Sequence, residues 1–143
     1  MQPKSRHEEL REGQEWLAER RGIDVAYYPF RSPRIAGLLI HEDDGGYCIG
    51  INSRMILTRQ LFSLAHELGR CALHRHVQAM FLCHVGRQDR PEREANTYAV
   101  QLLMPEHAVR ELQARGKGLR DLCTYFGVSR AAMEWRLEEL GLR

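Results

Sequence analysis

The stretch that decides the fold reads Phe62-Ser-Leu-Ala-His66-Glu67-Leu-Gly-Arg70-Cys-Ala-Leu-His74. Apolar residues recur through and around it at helical spacing, namely Leu61, Phe62, Leu64, Ala65, Leu68, Ala72 and Leu73. This period predicts a helix from about Thr58 to His76, with His66 and Glu67 in its middle.

This helix carries part of a zinc-binding signature. Two histidines four residues apart in a helix are rotated by only about 40° and separated by about 6 Å along the axis, so they can share one metal ion. In a His-Glu-x-x-His motif, the glutamate accepts a proton from a metal-bound water and passes it to the leaving amine. His66 and Glu67 match the first two positions, but Arg70 stands where the second histidine is needed.

A second amphipathic helix follows downstream, between Pro91 and Met104-Pro105, and it carries acidic residues near its start. A carboxylate on a second helix is what a zinc site with two histidines and one glutamate needs as its third ligand.

The remaining patterns predict an α+β protein. A helix is expected from about Glu8 to Arg21, packed through Leu10, Trp16 and Leu17, and Gly22 supplies its stop. Three short strands follow, with the turn residues Asp43-Asp44-Gly45-Gly46 making a hairpin of the last two; the strands are Ile23–Pro29, Ile35–Ile40 and Tyr47–Asn52.

Length and composition limit the class of protein. The 143 residues, 43% of them hydrophobic, predict one domain over 1–143. The net charge of +2 does not point to nucleic acid. No apolar run reaches the roughly 18 residues of a membrane span, and the charged N-terminus is unlike a signal peptide, so we expect a cytoplasmic protein with no membrane partner. The four cysteines, expected to be reduced because they form no CxxC pair, are Cys48, Cys71, Cys83 and Cys123.

Taken together, these residues resemble the ImmA/IrrE family of metallopeptidases. The resemblance rests on AHELGR preceded by RQLFSL and followed by EREANTYAVQLLMP, and it extends to GIDVAYYPF, the hairpin and the C-terminal FGVS…RLEELGL segment. It covers the chain from about Leu10 onward.

The resemblance implies a minimal zincin-like fold, with a short antiparallel three-stranded sheet packed on helices, over about residues 8–105. It implies His66 as the first zinc ligand, Glu67 as the general base and Glu94 as the third ligand, with Glu92 as the alternative. It also implies a bacterial or prophage-borne regulator that acts on a helix-turn-helix transcriptional repressor.

Arg70 changes that expectation, because a guanidinium stays protonated and offers no lone pair to zinc. Two protein ligands bind zinc more weakly than three, which predicts a degenerate site whose Arg70 cation lies between Glu67 and Glu94. The alternative is an active zinc peptidase with a replacement ligand. His84 or Cys83, folding back from the following segment, could supply that ligand. A separate zinc site made of Cys71, His74, Cys83 and His84 is a further alternative. His74 itself lies about 12 Å further along the helix than His66, too far to share its metal.

Two further segments have alternative interpretations. Tyr47–Asn52 is either an edge strand that binds an extended peptide or a covered strand. Tyr98, one turn after Glu94, is either a core residue or a donor to substrate.

The C-terminal part, 106–143, is expected to form a helical segment that resembles a helix-turn-helix, with two helices joined at Gly127 and Ser129 as N-cap of the second. Glu134, Glu138 and Glu139 offset Arg130 and Arg136, while Trp135 and Leu137 have the character of packing residues. Core packing or a protein partner is therefore preferred over DNA, which remains the alternative.

Overall fold

The computed structural model describes residues 2–73, the strand at 81–84 and residues 90–143. Their secondary structure is α+β, as predicted. In chain order the elements are α1 (Arg6–Arg20), β1 (Ile23–Tyr28), β2 (Ile35–His41), β3 (Tyr47–Asn52), α2 (Leu57–Leu73), β4 (Phe81–His84), α3 (Arg90–Leu103), α4 (Glu106–Ala114), α5 (Leu119–Phe126) and α6 (Arg130–Glu139). Among the described residues, no helix combines the length and apolarity that a membrane-spanning segment requires.

The sheet differs from the expected one in two respects. Its strand order is β1-β3-β2-β4, so a fourth strand joins the predicted three. The β2–β3 hairpin is antiparallel as predicted, but β1 pairs parallel to β3, with Ile23 opposite Tyr47 and Tyr28 opposite Asn52. Strand β2 lies on the far side of β3 from β1, so the chain passes the end of β3 between β1 and β2. Because β2 then returns antiparallel to β3, β1 and β3 run in the same direction.

Strand β3 is therefore an interior strand. Both of its edges carry backbone partners, β1 on one side and β2 on the other. The hypothesis that Tyr47–Asn52 binds an extended peptide by strand addition is wrong, because an interior strand has no free row of N–H and C=O groups to offer.

Helix α2 is shared between two apolar clusters. Leu64 and Leu68 pack toward the sheet, against Ile49, Ile51 and neighbouring residues. Leu61 and Ala65 pack toward the C-terminal helices, in a cluster that also contains Phe126, Val128, Met133 and Leu137. Since both clusters bury sides of one helix, His66, Glu67 and Arg70 lie in the interior of the protein.

Two tryptophans predicted to pack are instead exposed. Trp16 is 58% exposed and Trp135 is 53% exposed. Helix α1 buries Gln14 and helix α6 buries Met133, and a residue two positions further along a helix points about 200° away. Trp16 lies under the guanidinium of Arg20, 5.1 Å from the ring centroid, which partly covers it.

The predicted junction at Gly127 is confirmed. Gly127 ends α5 in the left-handed conformation, with φ +67°, and Ser129 caps α6 by accepting a hydrogen bond from the backbone N–H of Ala132. A Cβ on Gly127 would lie 2.7 Å from side-chain carbons of both Leu10 and Leu61. Only glycine fits this turn, which presses the C-terminal helices onto α1 and α2.

Replacing Gly127 with alanine should lower the free energy of unfolding by about 2–4 kcal/mol, measured by urea denaturation. The loss combines the cost of a left-handed alanine with the clash against Leu10 and Leu61. Gly116→Ala is the matched control, because Gly116 has φ +83° and a Cβ there would meet nothing within 4 Å. It should lose only about 1–2 kcal/mol; equal losses in the two variants would show that the clash contributes nothing.

Candidate functional site

Helix α2 places three charged or titratable side chains together inside the protein. His66, Glu67 and Arg70 are 4%, 0% and 1% exposed, respectively. Their spacing of three and four residues puts His66 and Arg70 on one face, with Glu67 beside them. A Cβ on Gly37 of β2 would lie 3.7 Å from Cγ of Glu67, so the sheet covers that carboxylate directly.

Helix α3 supplies Glu92 to this cluster, and not Glu94. Glu92 is 3% exposed, whereas the side chain of Glu94 is 40% exposed and binds Arg90 at 2.9 Å on the protein surface. Two residues along a helix correspond to a rotation of about 200°, so only one of these carboxylates can face α2. The buried face of α3 is the one that carries Glu92, Ala95 and Ala99.

His66 contacts two side chains of α3, and Asn96 is the one that hydrogen-bonds it. Its Nδ1 lies 2.8 Å from Oδ1 of Asn96, an oxygen that can only accept, so Nδ1 carries the proton. Its Nε2 then faces Oε2 of Glu92 at 3.0 Å. Burial lowers the pKa of His66, and the charge of Arg70 acts in the same direction against the opposing effect of Glu67. An acceptor on Nδ1–H is also how proteins orient a histidine whose Nε2 binds a metal.

Asn96 is the site residue that the sequence reasoning missed. Its signal was the spacing of four residues from Glu92, which places both on one face of a helix. The alanines Ala95 and Ala99 mark the same face as the buried one.

Arg70 lies between the two buried carboxylates. Its Nη2 pairs with Oε1 of Glu92, and its Nε lies 3.6 Å from Oε1 of Glu67. The sequence-based hypothesis paired Arg70 with Glu67 and Glu94. In the structure the second carboxylate of this ion pair is Glu92. The guanidinium thus links α2 to α3 at the position where the sequence motif would have a second histidine.

The side chains present do not fit a zinc ion. Arg70 directs a cation at Glu92, the carboxylate that could ligate a metal, and at Glu67, the expected general base, and a guanidinium cannot act as a ligand. In the part of the chain whose side chains are described, no three His, Cys, Asp or Glu side chains are grouped so that they could hold a metal ion.

Of the suggested auxiliary ligands, the structure describes the side chain of Cys71. Cys71 is buried in the cluster that packs on the sheet and, like Cys48 and Cys123, forms no disulfide with another described residue. His74 lies outside the described residues, as do the side chains of Cys83 and His84.

Tyr98 packs at the crossing of α2 and α3. A Cβ on Gly69 would lie 2.9 Å from Cδ1 of Tyr98, so the ring rests directly on the backbone of α2. The guanidinium of Arg21 lies 5.9 Å from the centre of this ring. These contacts match the core interpretation of Tyr98.

The two arginines considered for DNA binding, Arg130 and Arg136, already have partners. Arg136 is buried, donates from Nε to the carbonyl of Met104 and pairs with Glu139 at 2.6 Å. Arg130 is paired with Glu134, also at 2.6 Å. The use of Arg136 for a DNA phosphate is excluded by its burial, because the side chain cannot reach a duplex.

Comparison with known proteins agrees with the geometry of the helix pair. The family model described as the IrrE N-terminal-like domain, Peptidase_M78, matches residues 18–138. The chain belongs to the ImmA/IrrE family. Its resemblance to this family, drawn from the motif residues of α2 and α3, is therefore confirmed.

Two relatives illustrate the ImmA/IrrE membership. The chain is 31% identical over 96 residues to "Uncharacterized immunity region protein 2" of Bacillus phage phi105, covering 66% of this chain and 60% of that protein. It is 27% identical over 110 residues to "Metallopeptidase ImmA" of Bacillus subtilis (strain 168), covering 73% of this chain and 64% of the relative. The chain thus spans less than two thirds of the length of these curated relatives. As an ImmA/IrrE member, it has the fold of a metallopeptidase.

Proposed function

We propose that this ImmA/IrrE protein is a cytoplasmic regulator of a bacterium or prophage that binds a helix-turn-helix transcriptional repressor without hydrolysing it. The observation that carries the proposal is the buried guanidinium of Arg70 between Glu67 and Glu92. It places a positive charge beside Glu92, the carboxylate that could ligate a metal ion, and beside Glu67, the expected general base.

The surroundings of Glu67 also argue against hydrolysis. A general base must come within hydrogen-bond reach of the proton that it removes. Glu67 is 0% exposed, lies under Gly37 of β2 and is drawn toward Arg70. A substrate water would have to displace one of these neighbours before it could reach the carboxylate.

Support for a regulatory partner comes from the relatives, one named for a phage immunity region and the other named ImmA. DNA is disfavoured as the direct target, because Arg136 is buried and Arg130 is neutralised by Glu134. A protein partner remains as the class of target that the site and the family support together.

The test has two measurements on the purified protein. Elemental mass spectrometry should find zinc far below one atom per chain, in the unmodified protein and in Glu92→Ala alike. Mixing with a helix-turn-helix repressor encoded beside its gene should give a complex on size-exclusion chromatography, with the repressor intact.

The rival, an active peptidase with a replacement ligand, makes the opposite predictions. Zinc near one atom per chain that falls in Glu92→Ala would support it, as would repressor cleavage that chelators abolish and that Glu67→Gln removes. Failure of the unmodified chain to bind the repressor would remove the regulatory proposal itself.

A further inference from the structure

One end of the sheet carries an exposed cluster of cations. Arg31 and Arg34 lie on the loop 29–34 between β1 and β2, and Arg54 lies on the loop 53–56 between β3 and α2. Because β1 and β3 are parallel, both loops leave the sheet at the same end. We call these three arginines the basic end of the sheet.

The buried side chain of Asn52 holds the two loops together. Its Oδ1 accepts from the backbone N–H of Phe30 at 3.2 Å and of Arg54 at 3.0 Å. Its Nδ2 donates to the carbonyl of Ile35 at 2.9 Å. Gln60 of α2 ties the second loop from the other side by donating to the carbonyl of Met55 at 2.7 Å. The backbone that carries the basic end is therefore preorganised.

Among the described residues, the charge of this end is not balanced locally. The sequence has no aspartate or glutamate at 25–41 or at 45–66, and the acidic residues Glu42, Asp43 and Asp44 lie in the turn at the opposite end of the sheet. Within the described residues, the side chains of the basic end form no salt bridge. Helix α2 also begins here with no acidic residue in its first turn, so its dipole adds positive potential.

Large apolar side chains are exposed beside these cations. Ile56 is 73% exposed, Tyr28 is 64% exposed and Leu57 is 54% exposed. Ile56 is also part of a groove of about 260 Å³ between the start of α2 and the start of α6, lined by Ile56, Thr58, Arg59, Phe62, Val128, Ser129 and Ala132. Exposed apolar residues next to arginine and tyrosine are typical of protein interfaces.

The groove lies next to the arginine-filled site. Phe62 lines it one helical turn before His66, and Arg59 lines it as well.

We infer that this surface binds a protein segment that carries both acidic and large apolar side chains. The inference rests on the proposed function, since it gives the chemistry of the partner. Carboxylates would pair with Arg31, Arg34 and Arg54, while apolar side chains would cover Ile56 and Leu57 and enter the groove. Nucleic acid would satisfy the arginines but would leave the exposed aliphatic side chains in contact with water and phosphate.

The probe is a fluorescein-labelled peptide of about twelve residues that alternates glutamate and leucine and spans about 40 Å when extended. Fluorescence anisotropy measures its Kd for the full chain. The comparison probes are the same peptide with glutamine in place of glutamate, and a duplex DNA of about twelve base pairs, which carries a denser charge. We expect the glutamate peptide to bind at least about tenfold tighter than either.

The variant Arg31→Ser/Arg34→Ser/Arg54→Ser should weaken peptide binding at least about tenfold. The control Arg20→Ser/Lys117→Ser/Arg120→Ser removes the same charge from exposed positions elsewhere and should stay within about twofold. Ile56→Ser/Leu57→Ser should also weaken binding, because it removes the apolar contact. All of these positions are exposed, so the melting temperatures should match that of the unmodified chain.

The inference is overturned by equal losses in the two triple variants, by tighter binding of the DNA, or by no binding of the glutamate peptide up to about 1 mM. Each of these results can occur while the repressor complex still forms and zinc is absent, in which case the proposed function stands and only the docking surface fails.

Discussion

Replacing Arg70 with alanine should lower the free energy of unfolding by about 3–5 kcal/mol, because Glu67 and Glu92 would remain buried without their cation. For a chain of this size the melting temperature should fall by about 10 °C or more, measured by circular dichroism. Adding zinc to the unmodified protein should leave its melting temperature unchanged, since the guanidinium already occupies the position between the carboxylates.

Two controls separate the buried charge from other effects. Arg115→Ala removes an ion pair with Glu111 whose side chains are 65% and 58% exposed, and it should cost at most about 1 kcal/mol. Arg70→Met keeps much of the side-chain volume and should still be strongly destabilised, whereas adding Glu67→Gln and Glu92→Gln to it should restore part of the loss. A loss in Arg70→Ala no larger than that of Arg115→Ala would contradict the ion-paired site.

Replacing Arg70 with histidine should convert the site into a zinc site. The new imidazole would stand four residues after His66, and Glu92 already lies 3.0 Å from Nε2 of His66. Asn96 already holds Nδ1 of His66, so the metal-facing nitrogen is oriented in advance. We expect close to one zinc per chain by elemental mass spectrometry, against very little for the unmodified protein.

Zinc should also stabilise the Arg70→His variant. At a free zinc concentration of about 100 times Kd the gain is about 2.7 kcal/mol, or a rise of several degrees in melting temperature. In this background Glu92→Ala should abolish zinc binding and Glu94→Ala should retain it, because Glu94 points to the surface and pairs with Arg90. Loss of zinc in the Glu94 variant alone would reverse the assignment of the third ligand.

Local patterns were sufficient for most of the fold. The helical period around His66 predicts α2, the turn residues at 43–46 predict the β2–β3 hairpin, and Gly127 with Ser129 predicts the junction of α5 and α6. Each of these signals depends on residues a few positions apart, whose relation in space follows from the backbone geometry of one element.

Long-range pairing was not accessible in this way. The parallel pairing of β1 with β3 and the addition of β4 depend on how separate segments approach one another. The packing faces of Trp16 and Trp135 were misjudged for a related reason. Hydrophobicity indicates that a side chain can be buried, but which face of a short helix meets the core depends on its neighbours.

By itself, the sequence determined that His66, Glu67 and Arg70 share one helix, that the chain resembles the ImmA/IrrE family and that a second histidine is missing, because these properties follow from residue identity and helical spacing. Only the tertiary structure decided that Glu92 and Asn96 meet His66, that Arg70 bridges Glu67 and Glu92, and that two loops join at Asn52. The sequence alone does not distinguish Glu92 from Glu94, because both are glutamates near the start of one helix. The burial of one face of α3 against α2 distinguishes them.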